Sequence, residues 1–121
     1  MLTEKEGIEI AQKWIKDWND HDLNAIMSHY AEKVELVSPL AVKLLGNSDG
    51  KVNGKTALKE YFTKGLAANP QLRFEPIQTL IGVESIVMYY RKDNLLSAEF
   101  VMVNSEKLIT KVKAHYSSLE L

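Results

Sequence analysis

A chain of 121 residues with 15 basic and 16 acidic side chains, 45% apolar and 26% charged, has room for a single domain spanning 1–121 and lacks the basic excess of a nucleic-acid binder. It contains no cysteine, which excludes disulfides, thiolate metal centres, iron–sulfur clusters and cysteine nucleophiles together and fits a cytoplasmic protein. The stretch MLTEKEGIEIAQKW is charged where a secretion signal needs an uninterrupted apolar run, and no segment has the length to span a bilayer, so no membrane association is expected.

Thr3 followed by Glu6 forms a capping box, and Ile8, Ala11, Trp14, Ile15 and Trp18 recur behind it at helical spacing, which predicts an amphipathic helix over 3–19. Asn19-Asp20-His21-Asp22 breaks it, and Asp22 caps a second helix with Leu23, Ile26, Met27 and Tyr30 on one face. VELVSP reads as a short strand ended by Pro39, with Val34, Leu36 and Ser38 on one side. Leu40 to Gly54 is rich in turn formers and is expected to be a long loop bordering a binding site, with a turn at Ser48-Asp49-Gly50. Leu58, Tyr61, Phe62 and Leu66 give a third helix over 56–68, stopped by Asn69-Pro70. From Leu72 onward four antiparallel strands follow, divided at Gly82-Val83-Glu84, Asp93-Asn94 and Ser105-Glu106. Helices gathered before a continuous antiparallel sheet predict an α+β fold with helices on one face of a curved sheet.

This order, with the phrases DLNAIMSHYAEKVELVSP, NGKTALKEYF and AEFVMVNSEKLITKVKAHY, resembles the SnoaL-like branch of the nuclear transport factor two-like superfamily over nearly the whole chain. The resemblance implies three helices on a strongly curved sheet enclosing a cone-shaped apolar cavity, and a homodimer formed through the outer sheet face. It does not choose a function, because polyketide cyclases, ketosteroid isomerase, dehydratases, epoxide hydrolases and non-catalytic association modules share the fold.

Strand parity decides which side chains face such a cavity. If Asp93-Asn94 is a two-residue turn, Tyr90 pairs with Ser97, Met88 with Glu99 and Ile86 with Val101. If Ser105-Glu106 is another, Val103 pairs with Leu108, Val101 with Thr110 and Glu99 with Val112. Ile86, Met88, Tyr90, Ser97, Glu99, Val101, Val103, Leu108, Thr110, Val112, Ala114 and Tyr116 then share the inner face. Val87, Tyr89, Arg91, Phe100, Met102, Lys111, Lys113 and His115 share the outer one. One bulged residue at the last turn would reverse the final strand and bring Lys111, Lys113 and His115 beside Glu99.

By likeness to ketosteroid isomerase, Glu99 matches the acidic hydrogen-bond donor, Trp14 falls where that enzyme has its oxyanion-binding tyrosine, and Ser38 falls where its aspartate base would be. A buried carboxyl has its pKa raised and can donate to a ligand carbonyl, and the Trp14 indole can donate as well. A serine with no neighbouring histidine or lysine cannot abstract a carbon-bound proton, which argues against steroid-type isomerisation. Glu99 is the catalytic candidate. Trp14, Trp18, Tyr30, Ser38, Phe62, Met88, Tyr90, Val101, Val112 and Tyr116 are the ligand-binding candidates. The plainer alternatives are a Glu99 paired with a Lys or Arg, or reaching solvent at the cavity mouth, and aromatic residues, Tyr61 among them, that only pack.

His21 in an inter-helix turn, His29 on the polar side of the second helix and an outward His115 form no metal-ligand spacing, so no metal is predicted. The glycines lack a phosphate-cradling context, and no cofactor is expected. The expected partner is a small apolar molecule with a carbonyl or hydroxyl handle, bound or turned over by acid-assisted isomerisation, cyclisation or dehydration. The alternative is a non-catalytic association or carrier module.

Overall fold

The computed structural model describes all 121 residues. Helix α1 (Glu4–Asn19) opens on the complete capping box: the Thr3 hydroxyl accepts from the Glu6 N–H and the Glu6 carboxylate accepts from the Thr3 N–H. Asp22 caps α2 (Leu23–Met27) by accepting from Ala25 N–H. This helix is shorter than its periodicity suggests. Tyr30 is not on its face but opens strand β1 (Tyr30–Val37), where parallel pairing with β6 (Ile109–Tyr116) outweighs local helical spacing.

The segment expected to be a loop contains two further elements, α3 (Pro39–Leu45) and β2 (Lys51–Asn53). Ser38 caps α3 through its side chain, Pro39 occupies the first turn where its missing N–H costs nothing, and Gly46 ends the helix in the left-handed region at φ 68°. Pro39 therefore ends one element and starts another. The turn at 48–50 is present, with Asn47 Oδ1 accepting from Gly50 N–H. Helix α4 (Lys55–Ala68) and strands β3 (Glu75–Gly82), β4 (Ser85–Lys92) and β5 (Leu95–Val103) complete the chain.

The six strands form one curled, unclosed sheet in the order β2-β1-β6-β5-β4-β3, antiparallel except for β1 with β6. The helices pack on its concave face over a shared cluster of 22 buried apolar residues. The β4–β5 pairing is the one parity predicts, with Tyr90 opposite Ser97 and Met88 opposite Glu99. The β5–β6 pairing differs. Asn104 closes a longer turn by accepting from Glu106 and Leu108 N–H through Oδ1, and Lys107 takes a positive φ of 62°. Val103 therefore faces Ile109, not Leu108, and a bulge at Thr110 then sets Val101 opposite Val112 and Glu99 opposite Ala114. The longer turn and the bulge each add one residue, so their effects on parity cancel. Glu99, Val112, Ala114 and Tyr116 stay on the concave side. Lys111, Lys113 and His115 stay outside and exposed, while Leu108 gives its inner position to the fully buried Ile109.

Candidate functional site

Between the concave face and the helices lies a cavity of about 580 Å³. Its wall is aromatic: Trp14 and Trp18 from α1, Tyr30 from β1, Tyr61 and Phe62 from α4, Phe74 before β3, Tyr90 from β4 and Tyr116 from β6. Trp14 is the hub. Its ring stacks on Phe74 at 5.6 Å and lies 5.6 Å from Tyr90 and 6.0 Å from Trp18. Phe74 is fixed in turn by Asn19 at the end of α1, whose amide donates to Phe74 C=O at 2.9 Å and accepts from Phe74 N–H at 2.6 Å. His21 hydrogen-bonds the Leu72 carbonyl at 2.7 Å and ties down the same segment. Asn19→Ala is expected to cost about 2 kcal/mol in urea unfolding, because it leaves both Phe74 backbone groups unmet; Asn19→Asp, which keeps the acceptor, should lose less.

Three hydrogen-bonded clusters stand within the aromatic wall. At the first, Glu99 Oε1 accepts from the Tyr90 hydroxyl at 3.1 Å. Burial raises the Glu99 carboxyl from 4.5 to about 7, a rise that the Tyr90 hydrogen bond only partly offsets. No lysine or arginine pairs with Glu99, so the ion-paired alternative does not describe it, and the residue is 9% exposed. At the second, Trp14 Nε1–H donates to the Tyr30 hydroxyl at 3.0 Å. At the third, Ser38 Oγ accepts from Leu40 N–H and from the Tyr61 hydroxyl, with the Tyr116 hydroxyl 3.4 Å away. Gly50 holds Ser38 from behind, since a Cβ at Gly50 would meet the Ser38 carbonyl oxygen at 2.6 Å. Burial pushes the Tyr61 phenol up to about 12 and raises the Tyr30, Tyr90 and Tyr116 phenols well above their ordinary value, with the Glu99 charge adding to each. All four stay protonated near neutral pH. Glu99 is therefore the one group in the buried wall able to gain or lose a proton there.

Of the residues singled out from sequence, Trp14, Trp18, Tyr30, Ser38, Phe62, Tyr90, Glu99 and Tyr116 line this cavity together. Met88, Val101 and Val112 do not. They share the concave face but are only 2%, 1% and 2% exposed, covered by the helices as core. The cavity is also lined by residues outside the binding candidates: Phe74, Ser97, Ala114 and the α3 side chains Leu40 and Leu44, with Lys43, Lys92 and Asp93. Same-face parity with Glu99 signals Ser97 and Ala114; nothing local signals Phe74, which a side chain 55 residues away puts in place. His29 is not on a polar surface but contacts the buried Asp17 at 2.7 Å, and Lys13 reaches the same carboxylate at 2.5 Å.

A curled, unclosed sheet roofed by helices over an aromatic, hydroxyl-studded cavity is the nuclear transport factor two-like fold. Residues 11–92 match the SnoaL-like domain model, and the chain belongs to that family. A SnoaL-like protein of unknown function from Burkholderia thailandensis is 36% identical, with a TM-score of 0.92 over 97% of this chain and 98% of that one. Two more distant structures share the fold. SalBIII, an epoxide hydrolase/cyclase-like enzyme in pyran ring formation in the polyether salinomycin, is 18% identical, with a TM-score of 0.77 over 97% of this chain and 95% of its own. TerC, co-crystallised with polyporic acid, is 16% identical, with a TM-score of 0.75 over 92% and 91%. No curated protein matches.

Proposed function

We propose that the chain binds a small, mostly apolar molecule through a carbonyl or hydroxyl oxygen, and that protonated Glu99 donates to that oxygen to assist an isomerisation, cyclisation or dehydration. The observation carrying this reading is a buried carboxyl with no basic partner, set among aromatic rings and held near neutrality. A low-dielectric wall strengthens such a donor, and charge developing on the ligand oxygen would strengthen it further in a transition state. Ser38 has only hydroxyl and amide neighbours, which tells against carbon-proton abstraction at that position and favours acid-assisted chemistry. The cyclase-like activity named for SalBIII lies within the same reaction class.

Calorimetric titration with 1-tetralone, a bicyclic ketone, tests the assignment. Affinity should be full at pH 5.5 and fall about tenfold per pH unit once pH passes about 7, as the donating proton is lost. Glu99→Gln, which keeps a neutral donor, should bind with a flat pH profile. The same pH profile in both proteins would place the ligand handle elsewhere.

A second surface supports an association role. Leu80 and Met102 are 55% and 38% exposed on the convex face, beside the half-buried Val87, Tyr89 and Phe100. We propose that this face joins two copies of the chain. Sedimentation should show a dimer at micromolar concentration that Phe100→Glu converts to monomer; a monomeric wild-type chain would contradict this. The absence of cysteine and of any helix long and apolar enough to cross a membrane supports a cytoplasmic setting for both roles.

A further inference from the structure

We infer that the ligand of the Glu99 site carries a second hydrogen-bond acceptor, received by the Trp18 indole N–H and the Tyr30 hydroxyl at another pole of the cavity. The inference rests on the ligand-binding reading above and adds the ligand's shape and polarity to it.

A count of protons carries the step. Trp14, Trp18 and Tyr30 bring three donor hydrogens to one end of the cavity. The Trp14 hydrogen is taken by the Tyr30 oxygen. Trp18 Nε1 is buried beside that same Tyr30 oxygen but makes no hydrogen bond of normal geometry with it, and no acceptor takes the Tyr30 hydrogen; the two residues are only 7% and 2% exposed. Buried donors in folded proteins are almost always met, so two unmet ones on the wall of one cavity call for an acceptor. Trp18 cannot swing outward to find water: Phe62 meets its ring edge-on at 4.8 Å and Phe74 lies at 5.7 Å. Phe62, on the far side of the pair, also lies 5.4 Å from the Tyr30 ring. No hydrogen bond within the chain takes either donor hydrogen, and both residues line the cavity, where a ligand oxygen can accept them.

The two poles are distinct. Glu99 is on β5 and Tyr30 on β1, with β6 between them, so about 10 Å of sheet separates their strands at the usual spacing. Glu99 is engaged by Tyr90, not by Tyr30 or Trp18. A separate ligand oxygen is assigned to each pole. The chemical class that fits is a flat, mostly apolar molecule with acceptor oxygens at opposite edges, such as a cyclic diketone, quinone or lactone.

The test compares 1-tetralone with 1,4-naphthoquinone, which has the same bicyclic frame and a second carbonyl across the ring; the chain has no thiol to add to the quinone. Calorimetry at pH 6 should show wild type preferring the quinone, and that preference ratio should fall about tenfold in both Trp18→Phe and Tyr30→Phe, the loss of one buried hydrogen bond. On quinone binding, the Trp18 indole proton resonance should move downfield in wild type. If one variant does not fold, the other and the resonance decide. A preference ratio that survives the substitutions, or an indole resonance that does not move, overturns the inference while leaving the Glu99 assignment standing, provided 1-tetralone still follows Glu99 protonation. Failure of both probes to bind overturns the two together.

Discussion

At pH 8.5 the Glu99→Gln variant should be more stable than the wild-type chain by about 3 kcal/mol, and at pH 4 the two should be nearly alike. The folded protein keeps the Glu99 proton up to about pH 7, whereas the unfolded chain releases it near 4.5. Between those values the folded state binds more protons, so the stability that the neutral carboxyl allows is complete below pH 4.5 and is lost as pH rises to about 7. Above 7 the folded state holds a buried charge with a single hydroxyl donor, Tyr90, and no cation to compensate. Glutamine has the same shape and never ionises. Urea unfolding of both proteins across this range reads the effect, and parallel pH profiles would mean that Glu99 is hydrated. The destabilisation is the thermodynamic counterpart of the proposed role, since the environment that makes ionisation unfavourable makes the neutral acid a donor at working pH.

Trp14→Ala should cost about 3–5 kcal/mol, the range for truncating a large buried aromatic residue, and should abolish ligand binding. Trp14 is 2% exposed and touches Phe74, Tyr90 and Trp18, so its removal loosens the wall behind Tyr90 and, through it, Glu99. Trp14→Phe keeps most of the packing but withdraws the N–H from the Tyr30 hydroxyl, and should cost about 1 kcal/mol. A Trp14→Ala protein as stable as Trp14→Phe would show that the cluster closes over the gap and is not the rigid support described.

The parts of this architecture legible in the sequence are those fixed by local rules. The capping box fixes the start of α1, and the two-residue Asp93-Asn94 turn fixes the β4–β5 register and hence the inward Glu99. The last strand shows how a face can be read correctly from a wrong pairing. The longer Asn104–Leu108 turn and the Thr110 bulge each shift the register by one, and two shifts restore the face. Helix α3 was hidden by the polar, glycine-rich segment behind it, although Ser38-Pro39 and Gly46 are the start and stop signals of a short helix. The spacing of Tyr30 fits α2, and only β6, some 80 positions later, draws it into the sheet. Cavity depth is the least legible property. Met88, Val101 and Val112 have the same parity as Glu99, and which of these inward side chains meet open space depends on where the helices cover the sheet.

Glu99 is predicted to stay protonated near neutrality inside the cavity. Carbon-13 NMR titration of the side-chain carboxyl carbons, with the Glu99 resonance assigned by its disappearance in Glu99→Gln, measures this directly. A Glu99 midpoint about 7 is predicted; a midpoint near 4.5 would show an ordinary hydrated carboxylate and contradict the assignment of Glu99 as the donor.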